Sequence, residues 1–509
     1  MSYPRQVLQL RPKRGLASDL PAHEVGLDQY TLGQNVQFRN GIAQRVLGSR
    51  AVYGTLPASV RHMLNARIGS TNFWLFFGPN TVVARETSNS NDVTGAALSN
   101  VPAPWYYAST IINGLPVFTN GLELPRYWAG NVGVPFADLP GWPVGTICKS
   151  IAAFKGFLFA LDIDGPGGHF ENQVKWSDAA APGTVPATWT ATATNLAGSM
   201  YLSDTPGPCM CAVPMRGSLI AYKRSGTYAI DLVNDINQVF SQRTLFTSSG
   251  ALTRHAVADI NGKHLVVGDG DIFLTDGTTR VSVAKDRMQN YLFGQIDQTN
   301  YENLFVTYHR AKNEAWICYP ESGNTFCTKA LVYDVSKDAF GVRDLASVTC
   351  AAIGVVNDTA PSEAYDVHSE TFDSVSRFFN AENFSLAAES LLTGYSTTAS
   401  MQDTGDAVTV SALVGKYDLT MGDPQRVKLV RRAHVRAQPG CGTLYVRVGG
   451  RMTPNGSITW SAEFTLTEPN QLAPLFASGR YISVEVRGAG AEVWTLAGID
   501  LEYEMRGYH

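Results

Sequence analysis

The chain has 509 residues, 44% of them hydrophobic, enough for a large core and for more than one domain. Charged residues make up only 17%, whereas glycine (47) and aromatic residues (10%) are plentiful, a balance that favours pleated sheets over helices. A net charge of −4 and a pI near 6.2 exclude a wholly basic nucleic-acid-binding domain but leave room for a local basic patch.

Met1-Ser2-Tyr3-Pro4-Arg5 leads into a basic stretch without the apolar core of a secretory signal, so the expectation is a soluble protein made in a cytoplasm. Residues 1–56 read as an N-terminal arm followed by first strands. Arg5, Arg11, Lys13 and Arg14 make the arm basic, with Arg39, Arg45 and Arg50 further on. Pro4, Pro12 and Pro21 break its periodicity, and such a segment either docks on something or stays without order.

From residue 57 to 347, short apolar runs recur, each closed by Gly, Asn or Asp. Examples are Phe73-Trp74-Leu75-Phe76-Phe77 before Gly78-Pro79-Asn80, and His264-Leu265-Val266-Val267 before Gly268-Asp269-Gly270. Each predicts a strand entering a hairpin turn, where those residues tolerate positive φ. The runs recur roughly every 40–60 residues, and a second alternating strand follows each, as in propeller blades of around four strands. About six blades fit this β-propeller span; a β-sandwich of equal length is the alternative. The longest apolar stretch, 151–163, contains Lys155 and Asp162 and is too short to cross a bilayer, so no membrane insertion is expected. Helix is scarce, with weak signals at 283–292 and 381–392. Residues 348–404, rich in Ser, Thr, Ala and Asp, read as a linker or excursion. Closely spaced strands resume at 407–414, 426–437, 444–448, 457–464, 481–486, 493–496 and 498–504, predicting a C-terminal β-sandwich over 405–509. The fold class expected is therefore all-β, a propeller with an additional sandwich.

One of those strands stands apart in charge. No acidic residue falls between Asp423 and Glu463, yet Arg426, Lys428, Arg431, Arg432, Arg436, Arg447 and Arg451 do. Strand side chains alternate faces, so Arg426, Lys428, Arg432, His434 and Arg436 are expected on one side, opposite Val427, Leu429, Ala433, Val435 and Ala437, with Arg431 out of phase. Such a face either meets DNA phosphates or an acidic patch of a neighbouring subunit, or is balanced by acids on the adjacent strand such as Glu485 or Glu502.

The sequence offers little chemistry. There is no Walker loop, because Gly262-Lys263 is followed by His264 and lacks the glycine spacing; there is no His-Glu-x-x-His and no Gly-x-Ser-x-Gly elbow. The seven cysteines (148, 209, 211, 318, 327, 350 and 441) form no Cys-x-x-Cys pair and read as free, mostly buried thiols. His255 and His264 have structural roles in this reading, and Asp162-Ile163-Asp164 and Asp269-Gly270-Asp271 read as turns rather than calcium loops. The expectation is no catalytic residue, no cofactor and no metal. Trp176-Ser177-Asp178, with Pro182-Gly183-Thr184 and Trp189, resembles the Asp-box of sialidase-like propellers, where Ser and Asp brace a hairpin. A glycan-binding or glycan-hydrolysing propeller is the alternative function.

Three segments together resemble the tail nozzle, or packaged-DNA stabilisation, proteins of short-tailed bacteriophages. The first runs from Gly26-Leu27-Asp28 through Asn35-Val36-Gln37-Phe38-Arg39-Asn40-Gly41 to Arg45-Val46-Leu47-Gly48. The second runs from Gly268-Asp269-Gly270-Asp271-Ile272-Phe273 and Asp276-Gly277 to Trp316-Ile317-Cys318-Tyr319-Pro320 and Ala330-Leu331-Val332-Tyr333-Asp334. The third is the arginine-rich strand with the closing Leu496-Ala497-Gly498-Ile499-Asp500-Leu501. The resemblance implies a virion protein assembled in the host cytoplasm. It implies a sixfold homo-oligomeric ring below the portal and adaptor proteins, with packaged DNA in a central channel and a fibre, spike or needle attached. A receptor-binding tail appendage is a third reading, for which trimeric fibrous repeats would be expected.

Overall fold

A computed structural model of the chain describes residues 5–86, 90–101, 107–235, 238–356, 389–404, 411–438, 441–454, 456–467, 472–488 and 493–508. Among these, strands dominate, and the only α-helix is Gln289–Gln295, near the first of the two weak helical signals. Of the second signal, 389–392 belongs to the strand Glu389–Tyr395, and 381–388 lies outside the described residues.

Five successive four-stranded antiparallel sheets span residues 62–92, 108–138, 147–201, 209–246 and 257–282, and a sixth set of four strands spans 305–348. These are blades 1 to 6. Each blade's first strand lies innermost, and neighbouring first strands follow one another in chain order around a closed ring. The apolar runs seen in the sequence are the second strands, and their continuity has a simple cause. Phe73, Leu75 and Phe77 pack toward blade 2, while Trp74 and Phe76 pack toward the opposite neighbour. In blade 3, Leu158 and Ala160 face blade 2, and Phe157, Phe159 and Leu161 face blade 4. A strand buried on both faces needs apolar residues at every position.

A seventh blade completes the ring. Cys350–Val355, Glu389–Tyr395 and Thr398–Thr404 pair in sequence, and the outermost place is taken by Gly48–Val52 from the N-terminal region. The described ends of the supposed linker are therefore blade strands, and the ring has seven blades where about six were expected. Val52 and Met401 of this blade share a core with Met63 and Trp74 of blade 1, so the two ends of the propeller are fastened across the closure.

The C-terminal β-sandwich is present and borrows strands from the N-terminus. One sheet orders Leu32–Gln34, Ala412–Leu419, Tyr481–Gly488 and Leu444–Arg451. The other is built on Arg426–Ala437 and the long closing strand Thr495–Tyr508, which also pairs with Arg5–Leu10. The arm thus docks on the chain itself. This second sheet does not stop at the sandwich. The hairpin Val36–Arg39/Ile42–Arg45 joins the closing strand on one side and the last strand of blade 6 on the other, giving one continuous eleven-stranded sheet.

The hairpin's sequence explains its place. Asn40 and Gly41 both have positive φ (52° and 76°), the geometry of a tight two-residue hairpin turn. The Asn35 side chain donates to Asp344 and to the Ser411 carbonyl and accepts from the Asp344 N–H. Arg39 pairs with Glu314 of blade 6 and, at 3.0 Å, with Asp403 of blade 7; Asp403 also takes Arg343 and Lys312. Three cations converge on one fully buried carboxylate, which binds two blades and the hairpin together.

Candidate functional site

The arginine strand runs over the bounds expected, Arg426–Ala437, but its charged residues do not share one face. Its pairing with the closing strand slips between Arg426 and Lys428, between Val430 and Arg432, and between Arg436 and Ala437. A bulge sets two residues against one, so side-chain parity reverses across it. Lys428 and Val430 consequently point inward with no exposure. The Lys428 ammonium donates to the carbonyls of Asp423 and Arg480, and burial lowers its pKa to about 8. Arg426 is half-buried, with its Nε on the Arg506 carbonyl and its guanidinium over the Tyr508 ring. Only Arg432, His434 and Arg436 keep the expected outward direction, and the bulge adds Arg431, which accounts for its being out of phase.

Opposite these arginines the closing strand places Asp500, Glu502 and Glu504, alternate residues on one face. Asp500 pairs with Arg436 and Arg11, each at 2.7 Å. Glu502 pairs with Arg5 at 2.9 Å, and Glu504 with Arg431 at 2.7 Å and Arg506 at 2.8 Å. Burial acts against ionisation of Asp500, but its two arginines hold it below the usual carboxylate range; for Glu504 the Arg431 hydrogen bond is the leading cause of the same shift. The outer face is therefore a column of three carboxylates flanked by Arg5, Arg11, Arg431, Arg432, Arg436 and Arg506, with three more cations than anions. Arg432 is exposed and has no ion pair among the described residues. Much of the charge is compensated by the adjacent strand, as one of the two sequence readings held, with Glu502 among the acids. Glu485 instead pairs with Arg447 on the other sheet. The sequence reading has Arg5 and Arg11 in a basic arm without assigning them to this face and does not single out Arg506, although the alternation Asp500-x-Glu502-x-Glu504 is visible.

The axis of the propeller is a second feature. His62 begins the innermost strand of blade 1, and His255 lies two residues before that of blade 5. These blades are not neighbours, yet the two rings are 5.8 Å apart. His62 also lies 2.7 Å from the Ser109 hydroxyl of blade 2. Arg254 reaches the carbonyls of Cys209 and Met210 and the Asp162 carboxylate, which also contacts His169. This end of the axis is closed to anything as wide as a nucleic-acid duplex, whose major groove alone measures about 12 Å.

The remaining sequence candidates take structural places. Ser177 Oγ accepts from the Leu158 N–H, and Asp178 Oδ1 accepts from the N–H groups of Ala179 and Leu196, bracing the loop before the last strand of blade 3. Trp189 is fully buried against Trp142. The Tyr222 hydroxyl and His264 Nδ1 form a buried hydrogen bond. All seven cysteines are buried thiols outside any disulfide, and burial pushes the Cys148, Cys209, Cys211 and Cys350 thiols up to about 12. Among the described residues no three His, Cys, Asp or Glu side chains gather in a metal-binding arrangement, and no helix is long and apolar enough to cross a membrane.

No protein-family model matches the chain, and no curated protein sequence matches it. Solved structures that overlap it are loose matches. The WD40 β-propeller domain of Doa1 gives a TM-score of 0.37 at 10% identity, over 70% of this chain and 97% of that one. YCF48 bound to a D1 peptide gives 0.38 at 11%, over 70% and 95%. BBS1N in complex with ARL6DN gives 0.40 at 9%, over 70% and 95%. The propeller assignment rests on the strand pairing itself rather than on these overlaps.

Proposed function

We propose that this chain is a non-enzymatic structural protein of a short-tailed phage virion, a subunit of the tail nozzle ring that retains packaged DNA and conducts it during ejection. The observation that carries this reading is where the family-like segments lie. The Asn35–Gly41 hairpin, the Trp316–Asp334 strands and the arginine strand with its closing partner fall in the one eleven-stranded sheet, while the Gly268–Gly277 part of the second segment lies in blade 5. That sheet makes propeller and sandwich a continuous body, the kind of stiff unit a load-bearing ring requires.

In this reading the genome passes between copies and not along the propeller axis, because His62 and His255 meet across that axis. Heterologous contacts close the ring, with adaptor and portal proteins above and a fibre, spike or needle attached. The arginine–carboxylate face of the sandwich is the surface offered to DNA or to an acidic neighbour. Its excess positive charge is small, since a densely cationic conduit would hold phosphates and slow their passage.

Arg432 tests the assignment most cleanly, being exposed and outside the ion-pair column. Particles assembled with Arg432→Glu, alone or with Arg436→Glu, are expected to lose DNA or to lack joined tails while the protein remains folded. Normal particle yield with full genomes would remove this surface from the function.

A further inference from the structure

A cleft of about 420 Å³ opens between blades 5 and 6 where the N-terminal arm crosses them. Its volume falls within the range of small-molecule sites. Four cations line it: Arg14 from the arm, Lys263 at the start of the second strand of blade 5, and Lys285 and Arg287 from the segment after that blade. Two acids line it as well, Asp276 and Asp338.

The acids are already engaged. Asp338 takes Arg287 at 2.8 Å and Arg14 at 3.4 Å. Asp276 accepts from the backbone N–H groups of Thr279 and Thr278 within its own turn, bonds that hold its pKa down and keep it ionised. Lys263 and Lys285 are exposed and have no ion pair among the described residues. Four cations against two anions leave a charge of +2 facing the cleft.

The Arg287 side chain is nine-tenths buried and stacks over the Phe340 ring; its Nη atoms donate to Asp338 and to the Arg14 carbonyl, but its Nε has no hydrogen-bond partner. That Nε is shielded from solvent within this packing, so the donors open to a ligand are the ammonium groups of the two exposed lysines.

We propose that this cleft binds a phosphate dianion, either free or as the monoester group of a small molecule whose apolar part rests on Leu274 and Val281. Lys263 and Lys285 act as point charges toward it, and the Arg14 and Arg287 guanidiniums, held in place by Asp338, add to the positive field. This site stands apart from the sandwich face and does not depend on the nozzle assignment.

The test is calorimetric titration of the full chain with inorganic phosphate, and separately with a nucleoside 5′-monophosphate, in chloride buffer of matched ionic strength. Saturable one-to-one binding is expected, weakened at least tenfold in a Lys263→Ala/Lys285→Ala variant. Both residues are exposed, so the variant keeps its fold, which its melting curve verifies. Tighter binding of the monophosphate, displaced by inorganic phosphate, identifies an ester ligand; equal or better binding of inorganic phosphate identifies the free ion. No saturable heat with either probe, or affinities unchanged in the variant, overturns the proposal.

Discussion

Acidification should loosen the propeller at one identifiable place. Burial is the main reason His62 and His255 stay uncharged; a proton on one ring would also repel a proton on the other, and His255 lies beside the Arg254 guanidinium. Their pKa values are held at about 3 and about 4, against the ordinary 6.5. A histidine whose folded pKa is depressed leaves the unfolded chain binding more protons below pH 6.5. The stability these rings allow is therefore complete above that pH and falls as pH drops toward 4. Each ring loses about 1.4 kcal/mol per pH unit over this window, or about 5 kcal/mol for the pair by about pH 4.5. Both rings retain partial solvent contact, which trims the figure toward about 3 kcal/mol. Urea unfolding of the native chain and of His62→Gln/His255→Gln, each at pH 7 and 4.5, isolates this contribution, because other groups such as His309 are common to both proteins. The native chain should lose about 3–5 kcal/mol more than the variant between the two pH values. Equal losses would mean that the two imidazoles do not close the axis in solution.

Two further substitutions probe the weld between propeller and sandwich. A Cβ at Gly341 would lie 2.5 Å from the Val36 carbonyl oxygen, so Gly341→Ala should force the hairpin away from blade 6, costing about 1–3 kcal/mol and speeding amide exchange over Val36–Arg39. An unchanged urea midpoint would contradict that contact. Asp403→Asn leaves Arg39, Arg343 and Lys312 without their shared buried carboxylate and should cost about 3–5 kcal/mol, read from the same unfolding curves. A loss below about 1 kcal/mol would show the network to be solvated.

The blades were legible because a strand packed between two neighbours must be apolar throughout, and such runs are easy to see. The seventh blade was not, for reasons of connectivity. Its outermost strand, Gly48–Val52, lies far from the other three in sequence, and residues 356–388 separate its first two strands. Nothing local in either piece announces a shared sheet. The sandwich shows the same limit: Arg5–Leu10 and Leu32–Gln34 complete its sheets from the opposite end of the chain. Alternation read from sequence assumes an unbroken pleat, and that assumption failed on the arginine strand, where one bulge turned Lys428 inward and Arg431 outward. The closing strand was expected as two pieces divided near Gly498. It runs through, and the glycine is needed because a Cβ there would lie 2.5 Å from the Leu10 carbonyl oxygen. Function is less legible than fold, since a surface that works by fitting against other copies carries no motif of reacting groups.

Electron cryomicroscopy of intact virions carrying this chain tests the central claim most directly. The account predicts a closed ring of copies at the end of the tail, each a seven-bladed propeller welded to its sandwich, with the DNA passage running between subunits. Finding the chain outside the particle, as an off-axis appendage, or with the genome threading the propeller axis itself would contradict it.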